Sequence, residues 1–291
     1  MHFAIENVEK HTVMTLEAIE LDRPYSLEEP SKSVELPTSI ITNGHKLSLK
    51  ARKFYGATTT IKSFKEKKAL DGKDGDDGRS GASGQSGNQH PGEGGQNGGD
   101  GTNGATGFDS GLIYIEAEDS IDVPLTIINN AQDGGNGGAG GDGGNGGKGG
   151  KGKSSKDGVG AFGVGDCSRG PGRGGNGGVG GNGGNGGNAG TGGNALDVTI
   201  KARQVKSLEI EDRGGKAGQP GDPGAKGKGG AGGDEGDVTE LCRTKDRYGA
   251  RGADGTPGVE GATANNGVNG EILVTIDSKT YEGENGRFTY P

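Results

Sequence analysis

Gly72-Lys73-Asp74-Gly75-Asp76-Asp77-Gly78-Arg79-Ser80-Gly81 places a glycine at every third position near the start of the middle of this chain. The step continues through Gly84 and Gly87, breaks at Asn88-Gln89-His90-Pro91, and resumes from Gly92 to Gly107. A period of three matches neither an α-helix nor a β-strand. It matches an extended helix with three residues per turn.

Four further tracts of the same period follow. The second pair is Gly134–Gly152 and Gly172–Gly193, and the third is Gly215–Gly236 and Gly249–Gly270, slipping once at Ala264. They read as three glycine hairpins, 72–107, 134–193 and 215–270. Each tract would extend roughly 50–70 Å at about 3.1 Å per residue. The tracts are collagen-like in their G-X-X spacing, yet the chain holds 69 glycines and only 10 prolines, which argues against ordinary collagen. A disordered linker is the competing reading, since polar glycine-rich segments rarely bury enough surface to offset their ordering entropy.

Between the tracts the apolar residues gather near 40–64, 112–128, 195–212 and 271–278. Leu47-Ser48-Leu49-Lys50-Ala51, Ile113-Tyr114-Ile115-Glu116-Ala117 and Val198-Thr199-Ile200-Lys201-Ala202 share one alternating pattern. Val274-Thr275-Ile276-Asp277-Ser278 reads as a fourth, weaker copy, with serine in the alanine place. Period-two alternation and β-branched residues make each a strand. The first three are followed by second strands at Thr60–Phe64, Leu125–Ile128 and Ser207–Ile210. The fold expected is all-β plus polyglycine-II: stacked, solenoid-like β units carrying six antiparallel glycine helices. Residues 1–39 are expected to be an N-terminal cap or attachment segment, with Val13–Leu16 and Ile19–Leu21 as candidate strands, and residues 40–291 the repeat domain.

A glycine edge on an extended helix lets another backbone approach closely enough for N–H···O=C bonds. The middle pair runs G-G-X, as in Gly137-Gly138-Ala139, whereas the outer pairs are mainly G-X-X, as in Gly221-Asp222-Pro223. Two glycine edges imply neighbours on both sides, so the middle hairpin is expected between the outer two, three tracts per layer. Asn136, Asp142, Asn145, Lys148, Asn176, Asn182, Asn185 and Asn188 should then form exposed rows, interrupted by Ala139 and Val179.

These tracts resemble the polyglycine-II bundle proteins, among them the tip adhesins of phage long tail fibres and the glycine-rich antifreeze proteins of springtails. The resemblance covers about residues 72–270 and rests on the repeat period. It implies a rigid scaffold whose loops at one end bind a surface receptor.

With the strands at one end, the breaks at 88–91, 153–171 and 237–248 should meet at the other. They supply the candidate recognition residues Lys156, Phe162, Asp166, Arg169, Leu241, Arg243, Arg247 and Tyr248. Phe162, Leu241 and Tyr248 read first as a small apolar cap over the tract ends, with ligand contact as the alternative. Cys167 and Cys242 fall in adjacent loops, where a disulfide and two buried free thiols are both open. A disulfide needs an oxidising compartment. No charged-then-apolar signal segment follows Met1, so either the chain lacks a cleavable signal or Met1 is not its native start.

No catalytic, cofactor-binding or metal-ligating set is expected. Gly137–Asp142 meets the start of a calcium-binding nonapeptide, but Gly144 stands where an apolar residue belongs. The G-x-G-x-x-G at Gly158–Gly163 follows no strand and opens no helix. The four histidines have no ligand spacing. The net charge of −8 with mixed signs offers no basic stripe for nucleic acid, and no apolar run is long enough to span a membrane. The function expected is therefore non-enzymatic: a scaffold presenting distal loops to a cell-surface receptor or another structural protein, extracellular, on a cell surface or on a virion. An architectural spacer or filament subunit is the alternative, with ice binding weaker because charged residues interrupt the rows. Homo-oligomerisation is compatible with either.

Overall fold

The structure, a computed structural model, describes residues 6–8, 11–13, 18–87, 89–160, 163, 165–243 and 247–291. It is all-β, with no α-helix among the described residues. The strands are β1 (Glu6–Val8), β2 (His11–Val13), β3 (Ala18–Glu20), β4 (Tyr25–Glu35), β5 (Ser39–Ile41), β6 (Leu47–Tyr55), β7 (Thr59–Lys62) and β8 (Ile113–Ile128). There follow β9 (Lys156–Val159), β10 (Gly165–Arg169), β11 (Val198–Ala202), β12 (Gln204–Glu211), β13 (Ile272–Ile276), β14 (Lys279–Glu282) and β15 (Arg287–Tyr290). Thirteen of them form one mixed sheet, while β9 and β10 form a separate hairpin.

Alternation decides which way each strand faces. Leu47, Leu49 and Ala51 of β6 stand in register with Ile113, Ile115 and Ala117 of β8, all of them buried. Val198 and Ile200 of β11 continue the rows, and Ile272 and Val274 of β13 complete them. A second parallel run, β3-β5-β7-β8-β12, stacks Ile40, Ile61 and Ile127 in one row and Leu125 and Leu208 in another. The long strand β8 serves both runs: its start pairs with β6 and β11, its end with β7 and β12. The two runs enclose one apolar core, each buried Leu or Ile contributing about 1.5–3 kcal/mol.

Two expectations change. The chain N-terminal to residue 40 is more than a cap: β4 pairs in parallel with β6 from Tyr25↔Leu47 to Glu35↔Tyr55, and β5 pairs with β7. A full turn of the stack thus precedes the first expected copy, and the boundary at residue 39 cuts through it. It was hard to see because Thr42–Lys46, a short turn, replaces the glycine hairpin here. Ile19-Glu20 lies in β3, whereas residues 14–16 of the other candidate strand lie outside the described residues. The fourth copy is displaced as well. Ile272, not Val274, stands opposite Val198, and Ile276 stands opposite Ala202. Asp277 and Ser278 have φ of 48° and 64° and turn the chain back into antiparallel β14. β15 likewise runs antiparallel against β12, so the last unit ends in reversed strands.

Six glycine-spaced segments lie between the strands: tract 1 (72–87), tract 2 (92–107), tract 3 (134–152), tract 4 (172–193), tract 5 (215–236) and tract 6 (249–270). Hydrogen bonds fix their order. Gly75 N–H donates to the Ala139 carbonyl at 2.8 Å, and Gly137 N–H to that of Gln219 at 2.8 Å, so tracts 1, 3 and 5 are neighbours running the same way. Gly95 N–H donates to Val179 and Gly177 N–H to Ala250, which orders tracts 2, 4 and 6. Antiparallel bonds join the two sets, such as Gly138 N–H to Thr102 and Gly184 N–H to Gly141. Tracts 3 and 4 each touch four others, tracts 2 and 5 three, and tracts 1 and 6 two.

The strand register runs on into the tracts. Asn182 N–H donates to Asn97 Oδ1, 85 residues earlier, the spacing of Val198 from Ile113. Gln219 N–H donates to Asn136 Oδ1, 83 residues earlier, the spacing of Leu208 from Leu125. Each tract therefore extends one level of the strand stack.

Candidate functional site

The ends of the tracts opposite the strands carry the loops. Lys156–Val159 and Gly165–Arg169 form the β9–β10 hairpin, with Asp166 opposite Gly158 and Cys167 opposite Asp157. The third break meets it: Cys167 and Cys242 are joined by a disulfide, with Cα atoms 5.0 Å apart. Thr239 Oγ1 donates to the Asp157 carboxylate and accepts from Cys242 N–H at 3.3 Å. Neither Thr239 nor Asp157 carries a motif; Thr239 stands three residues before Cys242, and only the pairing of β9 with β10 brings Asp157 opposite Cys167.

The base of this tip is held by charge. Asp237 receives Lys151 and the Ser154 hydroxyl, which hold its carboxyl below the ordinary carboxylate range. Lys148 does the same for Asp234 at 2.9 Å. Arg169 Nη2 donates to the Ser154 carbonyl at 3.0 Å, anchoring the hairpin's second strand to its own base.

The candidate residues divide accordingly. Lys156 and Asp166 lie exposed on the hairpin, Asp166 Oδ1 accepting the Cys167 N–H at 2.7 Å. Arg243 is exposed one residue beyond Cys242. Arg247 holds the loop by its backbone, its N–H bonded to Glu235 Oε2 at 3.2 Å and its carbonyl to Gly174 N–H at 2.9 Å. The Tyr248 carbonyl accepts Arg173 Nε at 3.2 Å, leaving the ring outward. Phe162 lies outside the described residues, as does Asn88 of the first break. Leu241 and Tyr248 remain 49% and 55% exposed, so these two do not make the buried cap expected of them. The tract ends are closed by backbone bonds instead, and the apolar side chains of the tip, with Val159 at 82%, face solvent. The first break stays lower: the His90 carbonyl accepts Gly150 N–H at 2.8 Å, below the hairpin base.

The exposed rows of the tracts do more than face water. Asp74 and Asp77 accept the N–H groups of Ala139 and Asp142, and Asn185 accepts that of Val259, at 2.8–2.9 Å. These carboxamides and carboxylates tie each tract to the next along a layer. Their signal in the sequence is Asn or Asp in the last place of the triplet, two tracts earlier.

Chemically the described part of the tip offers separated cations, the exposed Asp166 carboxylate and half-exposed apolar surface. Among the described residues, no helix is long and apolar enough to cross a membrane, and no group of three His, Cys, Asp or Glu side chains could hold a metal ion. No family model, curated protein or solved structure matches this chain.

Proposed function

We propose that this is a non-enzymatic structural and binding protein: a β-solenoid that carries a bundle of six polyglycine-II helices and presents the 153–171 and 237–248 loops for recognition. Three consecutive residues support the helix assignment. Gly137, Gly138 and Ala139 donate their N–H groups to tract 5, to tract 2 and to Asp74 of tract 1, three neighbours in three residues. That rotation fits three residues per turn. A Cβ on Gly137 would fall on the Gly187 carbonyl oxygen, which accounts for the second glycine edge.

The observation that carries the functional reading is the disulfide-tied tip on this scaffold. A stiff stem that satisfies its own backbone holds two loops in fixed relation, and those loops leave Lys156, Arg243, Leu241 and Tyr248 open to a partner. Loops on a rigid support are where recognition is concentrated. The partner is a cell-surface receptor or another structural protein, and the setting is extracellular, on a cell surface or on a virion, where a disulfide persists. The architecture resembles a fibre-tip adhesin in its physics, through the shared glycine edges.

The test is adhesion to a panel of intact cells, comparing the whole chain with a variant in which Lys156, Asp166, Arg243 and Tyr248 are alanine. Loss of adhesion with an unchanged melting temperature supports tip recognition. Unchanged adhesion, or none by either protein, rejects it in favour of an architectural spacer.

A further inference from the structure

A cleft of about 640 Å3 opens where the strands give way to the tracts, at the opposite end of the tracts from the tip. Its floor is the outward face of the second parallel run. Ile41, Lys62, Ile128 and Glu211 lie side by side in register across four strands, and Phe64, Asn130 and Arg213 lie two residues further on. The segment 64–67 and the starts of tracts 3 and 5 form the walls.

The charges here are unevenly matched: Lys62, Lys65, Lys67, Arg213 and Lys216 line the cleft against Glu66, Asp133 and Glu211. Lys65 is paired with Glu20, and Glu211 is shared by Arg213 at 3.7 Å, Arg287 at 3.9 Å and the Asn130 amide at 3.1 Å. Among the described residues, Lys62, Lys67 and Lys216 have no ion-pair partner. Arg213 Nε makes no hydrogen bond and has Glu211 Oε1 as its ion-pair neighbour, while the side chain as a whole stays 40% exposed. The exposed part of the guanidinium side chain therefore remains open to a ligand beside the unpaired lysines. An Arg fork flanked by free lysines suits a carboxylate.

We propose that this cleft binds a carboxylate-bearing oligosaccharide, with one sugar acid on Arg213, Lys62 and Lys216 and a neighbouring ring against Ile128 and Phe64. The shape favours a sugar over a small inorganic anion, which would leave an opening of this size and its apolar floor unfilled. An acidic peptide fits less well. The floor strands already bond to neighbours on both sides, so no sheet edge is free to receive a peptide backbone. A sugar brings an apolar ring face and its own hydroxyl edge. The site is independent of the tip reading and stands or falls without it.

Titration calorimetry on the whole chain tests this with four probes: trigalacturonate, its neutral methyl ester, inorganic phosphate and hexaglutamate. Trigalacturonate is expected to bind saturably and more weakly as salt rises, and the methyl ester to bind at least about tenfold more weakly, as losing a charge-assisted bond implies. The double variant Lys62→Ser/Lys216→Ser changes only exposed, unpaired lysines and should lower trigalacturonate affinity by a similar factor with its melting temperature unchanged. The tip variant with Lys156 and Arg243 as alanine should bind trigalacturonate like the parent. The inference is overturned by no saturable binding of trigalacturonate, by equal binding of the methyl ester, by hexaglutamate or phosphate binding as tightly as the sugar acid, or by full affinity in the lysine variant.

Discussion

The strand stack and the glycine tracts share one register but are held by opposite means. In the stack, Ile, Leu and Val are hidden from water, and every member of the apolar cluster lies between Ile19 and Ile276 outside the six tracts. In the tracts the inner surface is backbone, and their large apolar side chains, Val179, Val259 and Val268, face outward. A hydrophobic core tolerates a lost methyl group by partial relaxation. A contact of main chain on main chain has no side chain to move, so the tracts should be the less forgiving region despite containing no apolar core.

The largest effect expected follows directly. Gly141→Ala would set a Cβ on the Asp76 carbonyl oxygen, in a tract bonded to four others. We expect a loss of about 4 kcal/mol or more, because the contact is backbone on backbone and neither side can give way. Ile115→Ala in the stack should lose about 2–5 kcal/mol, and Ala139→Gly on an outward place about 1 kcal/mol or less. Urea denaturation of the three variants gives the ranking. Ile115→Ala emerging as far worse than Gly141→Ala would mean that the tracts are loosely held.

At the seam between the regions lies a titrating group. Asp212 is fully buried, with Oδ1 on the Asn129 amide at 3.1 Å and Oδ2 without a partner. Burial pushes its carboxyl up to about 7, the Asn129 amide opposes this, and the charge of Asp197 adds to it. The folded state therefore holds the proton more tightly than the unfolded chain, whose carboxyl titrates near 3.8. The stabilisation is complete below that value and is lost as pH rises through about 7. At about 1.4 kcal/mol per unit, the window spans on the order of 2–4 kcal/mol. The melting temperature should fall between pH 5 and pH 8, and Asp212→Asn should flatten that fall. An equally steep profile in the variant would place the titration elsewhere.

Much of this was legible because two periods are written plainly in the chain. The step of three, and the doubling of glycine in tracts 3 and 4, anticipate which tracts have most neighbours. The copies Leu47, Ile113 and Val198 anticipate the strand register. What escaped notice had a physical reason. β4 reads Tyr25-Ser26-Leu27-Glu28-Glu29, and Glu29 on the face of Tyr25 and Leu27, with the later Pro30, blurs the alternation that its partner β6 displays. The shifted fourth copy arose because Val274-Thr275-Ile276 matches the pattern as well as Ile272-Leu273-Val274, and only the turn at Asp277 decides between them. Of the site, the cysteines and loop cations could be read from the sequence. The cleft could not, since Lys62, Ile128 and Arg213 come from three different levels of the stack.

The outward rows offer a finer test of how the tracts hold each other. Asn185 Oδ1 accepts the Val259 N–H at 2.9 Å, a side-chain bond spanning tracts 4 and 6. Asn185→Ala should lose about 0.5–1.5 kcal/mol, since water can replace the acceptor at this exposed place. Amide exchange at Val259 should accelerate, while Gly258, bonded to the Gly224 carbonyl, should not change. Asn185→Asp keeps the acceptor and should leave Val259 protected. Unchanged exchange at Val259 in the alanine variant would remove the side-chain rows from the account of the bundle.

The smallest effect concerns the slip in tract 6. Its glycines donate to tract 5 at 249, 252, 255, 258, 261 and 267, and the rung at Ala264 is missing. Gly218, whose carbonyl the missing rung would meet, is at the level where tract 4 also substitutes alanine, at Ala189. Two methyl groups thus enter at one level, on neighbouring tracts, and the ladder opens there. Ala264→Gly should close the rung and slow amide exchange at residue 264. The added bond is worth about 0.5–1.5 kcal/mol, and glycine's extra freedom in the unfolded chain removes about 0.5–1 kcal/mol of it. The net gain should stay within about 1 kcal/mol, although the exchange rate changes clearly. That separation is the sharpest form of the contrast with the strands: glycine is required here for the room it leaves, and contributes little stability of its own. Exchange at residue 264 that remained fast would show that the methyl group does not open the rung.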